Sequence, residues 1–151
     1  MTNHDQLFKE LLTTFFAEFI ELFLPELAGH LEPGSIAFLD KELFTDLQAG
    51  ESREADFVVR ARFRGQDAFF LIHLEHQAQP QAAFGRRMFH YFAWLHQKHG
   101  LPVYPIALFS HESARPEPEE YVVKFPDREV MRFAYRVIQL RRLNWREFVK
   151  R

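Results

Sequence analysis

The stretch from 53 to 79 places the strongest constraint on how this chain can fold. Two runs of alternating polar and apolar residues, 56–63 and 68–77, flank a tetrapeptide at 64–67 that contains Gly65. β-Branched and aromatic residues on both sides of a short glycine-containing segment are typical of a β-hairpin. The sequence therefore predicts two antiparallel strands joined by a turn at Gly65.

Polar side chains interrupt both predicted strands. Asp56 begins the first strand, and His73, Glu75 and Gln77 occupy every second position of the other. Because side chains two positions apart in a strand point to the same face, these three should share one face. Glu75 and Gln77 would lie about 6 to 7 Å apart along the strand, a span that a hydrated cation and a phosphate could bridge. Each predicted strand thus carries one acid of a candidate site.

Two interpretations of these acids follow from the residues alone. Asp56 precedes the large apolar residues Phe57, Val58 and Val59, and an acid in such surroundings is costly to bury unless it is paired or binds a metal. It could belong to a metal site. It could equally belong to a buried polar network that pairs with Arg53 or Arg62 and performs no chemistry, and spacing alone favours this second interpretation.

Five short segments in order give the chain a resemblance to a known family. They are His4-Asp5-x-x-Phe8-Lys9, Arg53-x-x-Asp56, LIHLEHQ at 71–77, Arg87-x-x-x-Tyr91 and LPVYPI at 101–106. Together they resemble the Rpn-type (recombination-promoting nuclease, or YhgA-like transposase) family of the PD-(D/E)XK nuclease superfamily, over most of the chain. Gln77 stands where the superfamily has a lysine, a substitution that looks usual for this family, and it leaves the site one positive charge short.

The resemblance implies a fold and an activity. The fold would be α/β with a restriction-endonuclease-like core, in which helices flank a mixed central sheet. The activity would be metal-dependent cleavage of DNA, linked to recombination or transposition. The alternatives are a nuclease-fold module that binds nucleic acid or protein without turnover, and a dimerisation unit. DNA is therefore the expected partner, and a homodimer remains open.

The resemblance also assigns roles to residues. Asp56, Glu75 and Gln77 would be catalytic, and Asp56 and Glu75 would bind Mg²⁺ or Mn²⁺ together with the backbone carbonyl of His76, since hard cations prefer carboxylate and carbonyl oxygens. Gln77 would orient the attacking water or contact the phosphate. Secondary candidates are Asp5, Lys9 and Arg87, and either of the last two would compensate for the neutral side chain at 77.

The spacing of apolar residues and the positions of proline and glycine predict the remaining helices and strands. Apolar residues at intervals of three and four predict a first helix that ends at Pro25, after a capping box formed by Thr2 and Asp5. A helix from Pro80 to Gly100 between two strands predicts a parallel crossover, in which Pro105 should lie near an edge or a bulge. Further predictions are strands at 35–43, 101–110 and 130–140, loops at 46–52 and 111–120, and a helix start at Asn144.

Composition limits the class of protein. At 151 residues the chain should form a single domain, residues 1–151, and the helix start so close to its end suggests a missing C-terminal region. The absence of cysteine excludes disulfides and thiolate metal sites. Without a leader or a membrane-spanning run, the protein is expected to be soluble, cytoplasmic and without membrane contact.

Charge and histidine content give weaker indications. The formal net charge is −2, yet residues 128–151 carry eight lysines or arginines against two acids. Such a stretch could meet DNA phosphates or simply be solvated. Eight histidines invite a zinc interpretation. However, His73 and His76 should face opposite sides of one strand and cannot share an ion there without a bulge.

Overall fold

A mixed five-stranded sheet forms the centre of the protein. The structure is a computed structural model that describes residues 3–39, 43–46, 51–77, 83–110 and 117–140. At 3–10, 13, 43–46 and 51–54 it describes only the backbone. Within these ranges the helices are α1 (Asn3–Phe23), α2 (Pro25–His30) and α3 (Phe84–His99). The strands are β1 (Ala37–Phe38), β2 (Leu43–Asp46), β3 (Glu51–Glu54), β4 (Phe57–Arg62), β5 (Phe69–Gln77), β6 (Val103–Phe109), β7 (Glu120–Lys124), β8 (Glu129–Ala134) and β9 (Arg136–Gln139). The predicted α/β class with a mixed sheet and flanking helices is confirmed.

The strand order in the main sheet is β1-β4-β5-β6-β9. The pairs β1–β4 and β4–β5 are antiparallel, whereas β5–β6 and β6–β9 are parallel. The predicted antiparallel hairpin and the predicted parallel crossover through α3 are therefore both present. Pro105 lies in β6 just before the part that pairs with β9, since that pairing begins at Ile106. This is the local edge that a proline in a strand requires.

The predicted hairpin forms, but its first strand is shorter than expected. Phe57 pairs with Leu74, and the turn contains Gly65 at a φ of 73°. Asp56, which was predicted to begin this strand, lies just before it, because β3 ends at Glu54 and β4 begins at Phe57. β3 pairs instead with β2 in a separate antiparallel ribbon, so the predicted loop at 46–52 is wrong at both of its ends, and 47–50 lie outside the described residues.

Both faces of the main sheet are covered by helices. One face packs against α1 and α2 through residues such as Val59, Ile72 and Ile106, each fully buried. The opposite face packs against α3 through residues such as Leu71 and Leu95. Burial on both faces explains why β5 contains so many consecutive apolar residues, since neither side of it meets solvent over most of its length.

Proline and glycine set the ends of the helices. Pro25 ends α1 at Phe23 as predicted, but it also occupies the first turn of α2, where its missing N–H costs nothing. Gly100 ends α3 in the left-handed conformation, and its N–H donates to the carbonyl of His96 at 2.8 Å.

The predicted single strand at 130–140 is wrong. The strand is interrupted at Tyr135, whose N–H donates to the carbonyl of Glu119 at 3.0 Å. β8 pairs with β7 in a second small sheet, while β9 joins the main sheet beside β6. Of the predicted strand at 35–43, residues 37–38 form β1 and Leu43 begins β2, while 40–42 lie outside the described residues.

Other predictions fall on residues that the structure does not describe. These are the capping role of Thr2, the helix start at Pro80, the loop at 111–116, the helix start at Asn144 and the basic residues from 141 to 151. None of the described helices combines the length and the apolarity that crossing a membrane requires.

Replacing Gly100 with alanine should lower the free energy of unfolding by about 1 to 2 kcal/mol, because an L residue is strained at a φ of 66°. The matched control is Gly29→Ala in α2, where φ is not positive and a new Cβ meets no atom within 4 Å. That variant should gain about 0.5 to 1 kcal/mol, since alanine favours helix over glycine. Urea unfolding of both proteins tests this, and changes of the same sign would contradict it.

Candidate functional site

Asp56 and Glu75 lie at the same end of the β4–β5 ladder. The last pair of that ladder is Phe57–Leu74, and Asp56 and Glu75 each lie one residue beyond it. Glu75 points to the same face as His73, because side chains two positions apart in a strand share a face. α3 covers that face, since the ring of Tyr91 lies against the ring of His73.

Asp56 occupies the bend between β3 and β4, where its carboxylate replaces a rung of the ladder. Its Oδ2 accepts a hydrogen bond from the backbone N–H of His76 at 2.9 Å, and the side chain is half-buried. An aspartate that bonds to nearby backbone in this way competes with strand pairing, which accounts for the interruption after Glu54. The same bond fixes the carboxylate at the margin between β4 and β5.

Glu75 is buried and hydrogen-bonded to a buried histidine. Its side chain is 2 % exposed, that of His73 is 0 % exposed, and His73 Nε2 lies 3.1 Å from Glu75 Oε1. Burial lowers the pKa of His73 from its ordinary 6.5 to about 3; the charge of Asp56 opposes this shift and that of Arg87 adds to it. The imidazole is therefore neutral near pH 7, and its Nε2–H donates to the carboxylate.

Two side chains of α3 cover this pair. The ring of Tyr91 is centred 4.9 Å from the ring of His73, and the guanidinium of Arg87 lies 5.6 Å from the centre of the Phe84 ring. Arg87 is half-buried, and its charge reaches His73. The set Asp56, His73, Glu75, Arg87 and Tyr91 is called the polar cluster below. It joins two acids and one cation under a single helix.

Further polar groups lie where the parallel strands end. Gln77 is half-buried at the end of β5, and its carbonyl accepts a hydrogen bond from Ser110 N–H at 3.0 Å. The His76 ring contacts Ser110 Oγ through Nε2 at 2.8 Å. Gln139, buried at the end of β9, accepts from Glu117 N–H through Oε1 at 3.2 Å. Ligand sites of α/β proteins form at this edge of the sheet.

Three predictions about pairing can be compared with the described contacts. Arg62 does not join the polar cluster, because it pairs with Asp67 at 4.0 Å and donates to the carbonyl of Gln66. His73 and His76 do point to opposite faces, since their rings bond to different partners on the two sides of β5. The zinc interpretation therefore gains no support.

The N-terminal candidates lie on a different element. Asp5 and Lys9 belong to α1, and their side chains are outside the described part of the chain. Farther along, α1 packs through Leu12, Phe16 and Ile20 against the sheet face opposite Glu75. Arg87 is thus the cation that the described structure brings to the polar cluster. Arg53, in β3, has no described side chain either.

The donors of the polar cluster suit a cation that keeps most of its water. Among the described side chains, no group of three or more histidines and acids is arranged to hold a metal ion. Mg²⁺ commonly takes only one or two carboxylates from a protein and completes its shell with water and substrate oxygens. Asp56, Glu75 and a backbone carbonyl such as that of His76 fit this pattern.

Sequence reasoning missed three participants. It placed His73 on the face of Glu75 but gave this residue no role other than that of a zinc candidate. Ser110 and Gln139 carried no signal of their own, since they reach the site only through the strand order of the sheet.

Comparison with known proteins places this arrangement in no family: no protein-family model, no curated protein and no solved structure matches the chain. The function has to be argued from the residues themselves.

Proposed function

We propose that the protein is a metal-dependent DNA endonuclease with a restriction-endonuclease-like core, acting in the cytoplasm in recombination or transposition. The observation that carries the proposal is that Asp56 and Glu75 each lie one residue beyond the last β4–β5 pair, with the Asp56 carboxylate bonded to the N–H of His76, the residue after Glu75. Two neighbouring carboxylates are a common protein contribution to a Mg²⁺ or Mn²⁺ site for phosphodiester hydrolysis. The motif resemblance names the same two residues.

Each residue has a distinct task in this proposal. Asp56, Glu75 and the carbonyl of His76 would hold the cation, which when bound supplies a more acidic water and neutralises charge on the phosphate. Gln77, at the end of β5, would hydrogen-bond the attacking water or a phosphate oxygen. The bond between Asp56 and the His76 N–H would keep one ligand in register with the others.

Arg87 would supply the positive charge that Gln77 lacks. Its guanidinium is half-buried on α3, and its charge acts on His73 inside the polar cluster. A half-buried guanidinium whose charge reaches His73 suits a site that receives a phosphodiester, because arginine pairs well with phosphate oxygens. This supports Arg87 over Lys9 as the compensating cation.

A second candidate function is supported by other features of the same cluster. Asp56 already accepts from a backbone amide and Glu75 from His73, and Glu75 is almost fully buried. Carboxylates satisfied in this way are typical of a structural network. The alternative is therefore a nuclease-fold module that binds nucleic acid or protein without turnover.

Incubation of the purified chain with supercoiled plasmid separates the two functions. The endonuclease should convert the plasmid to nicked circles with Mg²⁺ or Mn²⁺ and leave it intact with EDTA. Plasmid binding without nicking in either metal would favour the binding module. If the plasmid is neither bound nor nicked, the result contradicts DNA as the partner. Light scattering of the same sample would then show whether the chain is a homodimer.

A further inference from the structure

The environment of His73 differs from that of a histidine that only packs in the core. Its ring is fully enclosed, lies 4.9 Å from the Tyr91 ring, and directs Nε2 at a carboxylate oxygen two residues along the same strand. Its other nitrogen, Nδ1, has no hydrogen-bond partner among the residues that the structure describes. Burying an unsatisfied polar atom destabilises the fold. A side chain needed only for packing would therefore be apolar at this place.

We infer that His73 is a positioning residue, which holds the Glu75 carboxylate in the orientation needed to bind the cation. This inference rests on the proposed function and extends it to a residue outside the predicted ligand set. Residues that hydrogen-bond a metal-binding side chain commonly fix its orientation, and their loss weakens metal binding.

The geometry explains how one hydrogen bond can have this effect. A glutamate side chain has three rotatable bonds, so an unrestrained carboxylate would occupy several orientations. The histidine ring is itself fixed, because β5 is paired on both sides and Tyr91 covers the ring. Once Oε1 of Glu75 is bound to Nε2 of this fixed ring, fewer orientations remain open to the Glu75 carboxylate.

A matched pair of substitutions distinguishes positioning from a purely structural role. Glutamine can set its amide nitrogen near the place of the histidine Nε2, whereas asparagine, one carbon shorter, reaches only the place of Nδ1. Both changes replace the ring by an amide of similar polarity. Only His73→Gln keeps a donor at the Glu75 carboxylate.

The test measures Mn²⁺ affinity of the full chain, from the electron paramagnetic resonance signal of free Mn²⁺, together with unfolding in urea. His73→Asn should weaken Mn²⁺ binding about 10- to 100-fold, while His73→Gln should stay within about threefold of the unmodified protein, although both lose stability. The control is His30→Asn, on an exposed residue of α2, which should bind Mn²⁺ unchanged.

Equal Mn²⁺ affinities of His73→Asn and His73→Gln would overturn the inference, whether both match the unmodified protein or both fall. Failure of the proposed function has a different signature, since the unmodified protein itself would then bind no Mn²⁺. That outcome would also remove the positioning role. A drop in stability without a difference in affinity would assign His73 to the core alone.

Discussion

Acidification below pH 6.5 is expected to lower the free energy of unfolding of the metal-free protein, through His73 alone, by about 1.4 kcal/mol for each pH unit down to about pH 3. Burial lowers the pKa of this histidine to about 3 in the native state. The unfolded chain therefore binds a proton at His73 near pH 6.5, whereas the native protein does not bind it until the pH is much lower. Above pH 6.5 this contribution no longer changes with pH.

The charges around His73 partly cancel, which leaves desolvation in control. Asp56 favours the imidazolium and Arg87 disfavours it, while the enclosure of the ring under α3 removes the water that would stabilise its charge. A buried cation without hydration is costly even beside acids such as Asp56 and Glu75. Acid should therefore act on the native protein by favouring unfolding and not by charging His73 in place.

The measurement compares unfolding in urea at pH 8 and pH 5, with EDTA present, for the unmodified protein and for His73→Gln. The unmodified protein should lose about 2 kcal/mol more than the variant over this interval, because glutamine does not titrate. Exposed His30→Gln serves as the control and should keep the loss of the unmodified protein. Equal losses for His73→Gln and the unmodified protein would contradict the prediction.

The elements predicted correctly are those that the sequence specifies locally. The β4–β5 hairpin follows from two runs of β-branched and aromatic residues around Gly65, and its register then follows from the turn. The end of α3 follows from Gly100, where only glycine adopts the left-handed conformation without strain. The parallel crossover follows from a strand, a helix and a strand in succession.

The wrong predictions concern places where a distant partner decides. Alternation continues through Tyr135 without a break, yet β8 finds its partner in β7 and β9 finds its partner in β6. Similarly, nothing near Asp56 in the sequence shows that its carboxylate will bond to the His76 amide 20 residues away. Local pattern indicates extended backbone in both cases but not the pairing partner.

The candidate site was predictable to the same degree. The shared face of His73, Glu75 and Gln77 follows from the two-residue period of a strand. The place of Asp56 beside the end of β5 required the register of the hairpin, and the burial of the His73–Glu75 pair required the packing of α3. The two acids could therefore be named from the sequence, whereas their hydrogen-bond partners could not.

Replacing either acid by its amide should reduce Mg²⁺-dependent plasmid nicking by more than about 100-fold, the upper range for loss of a mere hydrogen-bond partner of a metal ligand. Asp56→Asn and Glu75→Gln keep size and hydrogen-bonding shape but remove the negative charge that attracts the cation. The asparagine oxygen can still accept from the His76 N–H, and the glutamine oxygen from His73, so both variants should fold.

Three further measurements make this result specific to the proposed site. Asp67→Asn removes an exposed acid paired with Arg62 at the far end of the hairpin, and it should nick plasmid at the unmodified rate. Urea unfolding should show that all three variants are folded, and plasmid binding should survive in each, because removal of an acid does not weaken contact with phosphates. If Asp56→Asn or Glu75→Gln nicks as fast as Asp67→Asn, the metal-binding role of that residue is wrong, since the charge it would contribute is then not used in hydrolysis.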